Sequence, residues 1–415
     1  MRATKDSGFE WIGDIPCYWK IDKLKYHLRR NEPRNPGDVV VLSLYRELGV
    51  IPKDSRDDNH NVTSEDTSKY KYVRPGDFVI NKMKAWQGSV AVSEYEGIVS
   101  PAYFVYEFTD DTIFKRYFHY LLRSCYKDEF MRLSGGIRVG QWDLPADALE
   151  NTPILIPPMD EQCRIADFLD AKCAEIDALT ADIQTQIDTL EQYKRSVITE
   201  TVTKGLNPNA EMKGSGIQWI GDMPAHWDVI RGKYILRYMQ KPVREDDGVI
   251  TCFRDGEVTL RSNRREDGFT MSDKEIGYQG IDVGDLVVHG MDGFAGSIGI
   301  SDSRGKASPV LNVLDTDQCK RYIMYYLRSM AYSDVFLALA TGIRVRSCDL
   351  RWNKLAELSY PVPPLNEQNA IVKHIDSVLS KADAVITDKK AQLATLDEYK
   401  KSLIFEYVTG KKEVV

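Results

Sequence analysis

PILIPPMDEQCRIADFLD (Pro153 to Asp170) and YPVPPLNEQNAIVKHID (Tyr360 to Asp376) carry one motif twice, Pro-Pro-x-x-Glu-Gln. Proline fixes φ and suits the first turn of a helix, so Pro157-Pro158 and Pro363-Pro364 mark hard boundaries. Beyond each pair, a segment of about 45 residues runs without Pro or Gly, to Lys204 and to Thr409. These segments read as long helices. In the first, Leu169, Ile176, Ile183, Leu190 and Val197 recur every seven residues. In the second, Leu379, Ile386 and Leu393 do so, flanked by Ile375, Leu396 and Leu403. A seven-residue seam predicts coiled-coil packing. The economical arrangement packs the two repeats on each other. Each helix spans roughly 65–70 Å at 1.5 Å per residue, about two turns of DNA.

Working outward, the repeat takes in nearly everything else. GFEWIGDIPCYW (Gly8 to Trp19) returns as GIQWIGDMPAHW (Gly216 to Trp227). RPGDFVINKMKAWQGSVAVS (Arg74 to Ser93) lies over VGDLVVHGMDGFAGSIGIS (Val283 to Ser301). SGGIRVGQWDL (Ser134 to Leu144) lies over TGIRVRSCDL (Thr341 to Leu350), and EQYKRSVITETVT (Glu191 to Thr203) over DEYKKSLIFEYVT (Asp397 to Thr409). Before each long helix comes a mixed region with short β-rich runs bounded by Pro-Gly or Gly-Asp turns. Each region also has an aromatic helix-like run, Ile113 to Ser124 and Lys320 to Met330. The fold class is therefore α+β: two similar globular domains and two long helices, related by tandem duplication.

Composition excludes several classes. Hydrophobic residues are 43% and charged residues 28% of 415, as in ordinary globular chains. No run of 18 apolar residues exists, so no membrane span is expected. The N-terminus lacks the apolar core of a secretory signal, and seven scattered cysteines without a CxxC pair read as reduced thiols, so a cytoplasmic location is expected. There is no GxxxxGK[ST], HExxH, GxSxG or GxGxxG, and no Asn-Pro-Pro-Tyr of the kind amino-methyltransferases use. GMDGFAGSIG reads as a β-turn array. Asp77 and Asp285, each after a glycine, read as turn caps, because no acidic-x-Lys pair follows on the next strand. No catalytic residue and no metal site is expected.

What remains is a binding protein. The net charge of -7 is carried by the helical segments. Asp160 to Thr203 has ten acids and four bases; Glu367 to Thr409 has seven and six. The globular parts are balanced, so DNA contact there needs base recognition as well as phosphate attraction. The candidates sit in two loops per module. Lys82, Lys84, Trp86 and Gln87 follow a strand, with His289 at the end of its twin. Arg138 and Gln141, and Arg344 and Arg346, lie in the glycine-containing loops, where an arginine can reach a phosphate or a guanine. The plain alternative has Arg138 or Arg344 paired with Asp143 or Asp349.

The two Trp-Ile-Gly-Asp stretches, the two Pro-Pro-x-x-Glu-Gln boundaries and the helix ends YKRSVITETVTKG and YKKSLIFEYVTGK resemble the specificity subunit of type I restriction-modification systems, HsdS. The resemblance covers essentially the whole chain. It implies target recognition domains at residues 20–158 and 228–364, a central helical spacer at 159–206 and a C-terminal helical region at 365–415. Residues 1–19 open the first repeat, and 207–227 link to and open the second. It implies an antiparallel coiled coil between the helices. It implies double-stranded DNA with a bipartite target as ligand, and two HsdM modification subunits and HsdR restriction subunits as partners. S-adenosylmethionine, ATP and Mg would belong to those partners, with no cofactor and no catalysis on this chain. A non-catalytic tandem-repeat scaffold binding peptides is the competing reading, supported by the acidic balance and the coiled coil. A nuclease or methyltransferase fragment is disfavoured by the missing motifs.

Overall fold

The computed structural model describes residues 2–37, 39–46, 48–55, 66–136, 142–264, 275–339 and 350–414. In the first half, β1 (Leu28–Arg30), β2 (Phe78–Asn81), β3 (Val90–Val92) and β4 (Tyr103–Phe108) form an antiparallel sheet in the order β1-β4-β2-β3. Helix α1 (Lys115–Cys125) packs on it, and α2 (Met159–Lys204) follows the first proline pair. The second half repeats this with β5 (Arg237–Met239), β6 (Leu286–His289), β7 (Ile298–Ile300) and β8 (Leu311–Asp315), ordered β5-β8-β6-β7. Then come α3 (Lys320–Tyr332) and α4 (Leu365–Val408). Register repeats as well: Phe78 pairs with Tyr106, and Leu286 with Leu314. β2 is buried at all four positions, as a central strand between two neighbours should be. Phe78, Tyr106, Tyr117 and Phe118 make one core; Leu286, Leu314, Tyr322 and Ile323 make the other.

The turn before each central strand is closed by its aspartate. Asp77 Oδ2 accepts the Arg74 N–H at 2.8 Å, and Asp285 Oδ2 accepts that of Asp282 at 2.8 Å. Asp285 also holds Lys241 Nζ at 2.6 Å.

The Glu-Gln of the repeated motif explains how the long helices are seated. Gln162 and Gln368 are fully buried. Gln162 Nε2 donates to Pro157 O and Thr112 O, both at 2.9 Å, while Oε1 accepts the Phe114 N–H at 2.8 Å. Gln368 Nε2 donates to Pro363 O at 2.8 Å, and Oε1 accepts the Cys319 N–H at 2.9 Å. One amide thus ties the start of each long helix to the start of the helix packed on the sheet. Tyr117 and Tyr322 add a second tie. Their hydroxyls donate at 3.0 Å to Val408 O and Val202 O, near the far end of the other long helix.

Contacts divide the chain into two units, Met1–Ile183 with Ala391–Val415, and Gln184–Lys390. Each long helix gives one half to each unit. In the first unit, Phe168 meets Tyr407, with ring centroids 4.4 Å apart, and Asp177 holds Lys400 at 2.5 Å. In the second, Asp383 holds Lys194 at 2.6 Å, and Lys389 reaches Gln186. Numbers that rise on one helix fall on the other, so the helix halves pack antiparallel within each unit.

The seam is broader than the apolar pattern. Leu169, Ile176, Ile183, Ile386 and Leu403 are buried, whereas Leu190, Val197, Leu379, Leu393 and Leu396 are half-buried. A second line runs through Cys173, Thr180, Ile187, Lys194 and Thr201, three or four residues from the first. Cys173, Ile187 and Thr201 on it are buried.

The opening stretch of each repeat packs at a helix end. In the first unit, Trp19 Nε1 donates to Glu161 Oε2 at 3.0 Å, and Arg2 Nη2 donates to Gly410 O at 2.7 Å. Gly410 has a φ of 72°, and a Cβ there would lie 2.5 Å from Pro16. In the second unit, Gly205 has a φ of 74° beside Trp227, and His226 Nε2 lies 2.8 Å from Glu367. Arg2 to Trp19 thus stands to the C-terminal helix as Gly205 to Trp227 stands to the central one.

Candidate nucleic-acid interface

In each unit the loop after the central strand meets the end of the glycine-containing loop. The Leu144 N–H donates to Lys82 O at 3.0 Å, and that of Leu350 to Gly290 O at 2.8 Å. Arg138, Gln141, Arg344 and Arg346 lie outside the described residues. Asp143, the carboxylate considered for Arg138, holds Lys82 Nζ at 2.7 Å. Lys82 is half-buried and lies 5.9 Å from the Phe104 ring centroid, so it braces the loop. Lys84 is exposed, with no side-chain partner among the described residues. Trp86 donates through Nε1 to Met83 O at 3.2 Å and packs on Trp142, centroids 5.6 Å apart. Gln87 takes a hydrogen bond from Arg46. Lys84, Trp86 and Gln87 are therefore brought together, with Lys82 behind them.

His289 ends β6. Its Nδ1 accepts the backbone N–H groups of Asp292 at 2.9 Å and Met291 at 3.2 Å. Burial lowers its pKa, so the ring is neutral near pH 7. With Nδ1 accepting, the proton sits on Nε2, which becomes a fixed donor. Asn81 does the same turn-closing work in the first unit, where Oδ1 accepts the Met83 N–H at 3.2 Å.

A second group escapes the loop-based reading. Each unit carries a hairpin beside this loop, Leu42–Tyr45 with Gly49–Pro52, and Ile250–Cys252 with Val258–Leu260. Its turn begins with Arg46 or Arg254. Arg46 reaches Gln87; Arg254 Nη2 lies 3.2 Å from Asp292 Oδ1. Both arginines therefore cross from hairpin to loop. The signal was present in the sequence, since LSLYRELGV (Leu42 to Val50) lies over ITCFRDGEV (Ile250 to Val258).

In the second unit these parts enclose a cleft of about 760 Å³, lined by Arg254, Arg261, Arg264, His289 and Ser297 among others. Arg264 is paired with Asp255 at 2.5 Å and with Glu257 at 3.1 Å, and lies 4.3 Å from the Phe253 ring centroid. Donating a hydrogen bond to the Asp255 carboxylate raises its pKa. Cys252 also lines the cleft, but burial pushes its thiol up to about 12, so it is no nucleophile. The cleft offers donors and a flat cation, which suit base edges. Among the described residues, no cluster of three or more His, Cys, Asp or Glu could hold a metal ion. None of their helices is long and apolar enough to cross a membrane.

Residues 25–189 match the family model described as the type I restriction modification DNA specificity domain. Along its full length the chain is 24% identical to a Methanocaldococcus jannaschii protein provisionally named the type I restriction enzyme MjaX specificity subunit, covering 100% of this chain and 99% of that one. A solved chain reported under complex assembly and conformational transition of the type I R-M system superposes with a TM-score of 0.70 at 15% identity, over 96% of this chain and 99% of that one. The crystal structure of the HsdS subunit from Thermoanaerobacter tengcongensis gives a TM-score of 0.52 at 15% identity, over 98% of this chain and 100% of that one. The two structures bear on the fold.

Proposed function

We propose that the chain is a specificity subunit of a type I restriction-modification system, each of whose two modules reads one half of a split DNA target. The observation that carries this reading is the duplication of the reader itself. Sheet, hairpin, loop and helix half recur in the same order, while residues at matched places in the loop differ: Lys84 against Asp292, Trp86 against Phe294, Gln87 against Ala295. Two readers on one frame with unlike tips suit two unlike half-sites. The contacts to DNA are placed on Lys84, Trp86, Gln87, Arg46 and Arg138 in one module. In the other they fall on His289, Arg254, Arg344 and Arg346. Gln141 joins the first set, and Lys82, held by Asp143, supports it.

The long helices set the distance between half-sites and carry the modification subunits. A near two-fold repeat within one chain suits two copies of one partner. Those HsdM subunits would bring S-adenosylmethionine and methylate adenine; HsdR subunits would join them with ATP and Mg. This chain supplies recognition and no chemistry. The acidic balance of the central helix, ten acids against four bases, supports protein contact over DNA contact there.

The test is methylome sequencing of a host expressing this chain with its cognate HsdM. The expected result is methylated adenine in both halves of a split motif. A continuous motif would discard the two-reader geometry. No new methylation, with HsdM bound and active, would favour the scaffold reading.

A further inference from the structure

We infer that the cleft of the second module selects a guanine, through its major-groove edge, with Arg254 and His289 as the discriminating donors; this rests on the DNA-reading function proposed above. Three observations carry it. First, the cleft combines donors that need an acceptor. His289 spends Nδ1 on two backbone N–H groups, which leaves Nε2–H as its one free polar atom. Ser297 lies across the strand, where its carbonyl accepts the His289 N–H at 3.0 Å. Its hydroxyl, in the same wall, is buried with no hydrogen-bond partner. A buried polar group without a partner is costly, and binding sites are where such groups persist.

Second, the carboxylates at the cleft are already engaged. Asp292 faces Arg254, and Asp255 faces Arg264. The acceptors are spent on arginines, so the ligand must bring its own. Guanine presents two acceptors, O6 and N7, in the major groove; adenine and cytosine both present an amino donor there. The Arg254 pair with Asp292 is exposed, with side chains 71% and 37% accessible. Its one contact, Nη2 to Oδ1 at 3.2 Å, is given up for a base edge at little cost.

Third, charge separates a base from a phosphate as the occupant. The paired carboxylates offset most of the arginine charge at the cleft, and His289 is neutral. Attraction for a bare phosphate is therefore weak, whereas hydrogen-bond discrimination at a base edge is kept. The first module is built differently at this point. Asn81 stands where His289 does and caps the same turn, and Lys84 replaces Asp292. The guanine preference therefore belongs to one half-site alone.

The experiment uses the full chain assembled with its HsdM subunits, with Arg254→Ala and His289→Asn. The asparagine keeps the turn cap, as Asn81 does, and withdraws the Nε2–H. Methylome sequencing of the wild type comes first and must give a split motif; without one, the two-reader function fails and not this inference. With one, each variant is expected to relax one guanine in one half-site, with discrimination at that base falling about tenfold to a hundredfold. The other half-site stays unchanged. Substituting 7-deazaguanine at that position in a wild-type binding assay is expected to lower affinity similarly. Relaxation at a base other than guanine overturns the inference. So does a weakening that leaves the motif intact, which would mark phosphate contact, and so does an unchanged motif in folded, assembled variants.

Discussion

A single buried amide seats each long helix. Gln162 bridges Pro157 O, Thr112 O and the Phe114 N–H with no exposed surface. Removing it leaves buried backbone groups unpaired, at about 1–3 kcal/mol each. Gln162→Ala is therefore expected to cost about 3 kcal/mol, read as a shift in the midpoint of denaturant unfolding. Gln162→Glu should be no milder, because a carboxylate cannot donate to the two carbonyls. A cost under 1 kcal/mol for both would mean that water replaces the amide. The modules differ at other residues. In the second, Lys241 and Arg304 hydrogen-bond to Asp282 and hold its carboxyl at about 2, and Arg304 also holds Asp247 low. A depressed carboxylate stabilises the fold above its ordinary pKa of about 4 and loses that contribution as pH falls through about 2. Thermal unfolding should thus steepen in its acid dependence between pH 4 and pH 2. Asp282→Asn should flatten that slope while lowering stability at neutral pH. An unchanged acid slope would show the network to be fully screened.

At the scale of the element, the two long helices show what a sequence makes legible. Their limits, their pairing and the line through Leu169, Ile176 and Ile183 could be read because proline boundaries and apolar spacing are local signals. The line through Cys173, Thr180, Lys194 and Thr201 could not, since polar side chains on a seam look like solvent-facing ones until the partner is known. The same holds for Arg46 and Arg254, whose repeat is visible but whose reach onto the loop depends on how the hairpin packs. Of the four loop residues Arg138, Gln141, Arg344 and Arg346, motif and charge give candidacy and nothing more. The seam lysines carry their own prediction. Lys194 pairs with Asp383, and Lys400 with Asp177, at matching places in the two repeats. Double-mutant cycles to alanine should give coupling of about 0.5–1 kcal/mol for each pair, as for other partly exposed pairs. Exchanging the charges, as Lys194→Asp with Asp383→Lys, should recover most of the loss. Coupling near zero at both sites would leave the helices aligned by apolar packing alone.

For the whole molecule, the decisive property is that each helix is shared between two units, so helix length is the variable that tests the proposed spacing role. The contacts divide at Ile183 in one helix and at Lys390 in the other. Because the halves pack antiparallel in each unit, lengthening one helix alone breaks the match of seam positions. Lengthening both by one heptad preserves it. Four residues inserted after Ile183 alone are therefore expected to abolish assembly with HsdM. Seven residues inserted after both Ile183 and Lys390 add about 10 Å at 1.5 Å per residue, close to three base pairs at about 3.4 Å each. The doubly inserted chain should methylate the same half-site bases with a gap about three base pairs longer, read directly by methylome sequencing. An unchanged gap with full methylation would remove the spacing role from the helices and pass it to the bound modification subunits. A longer gap with unaltered half-sites would separate the two roles proposed for this chain: which bases are read, by the hairpin and loop of each module, and how far apart, by the helices they share.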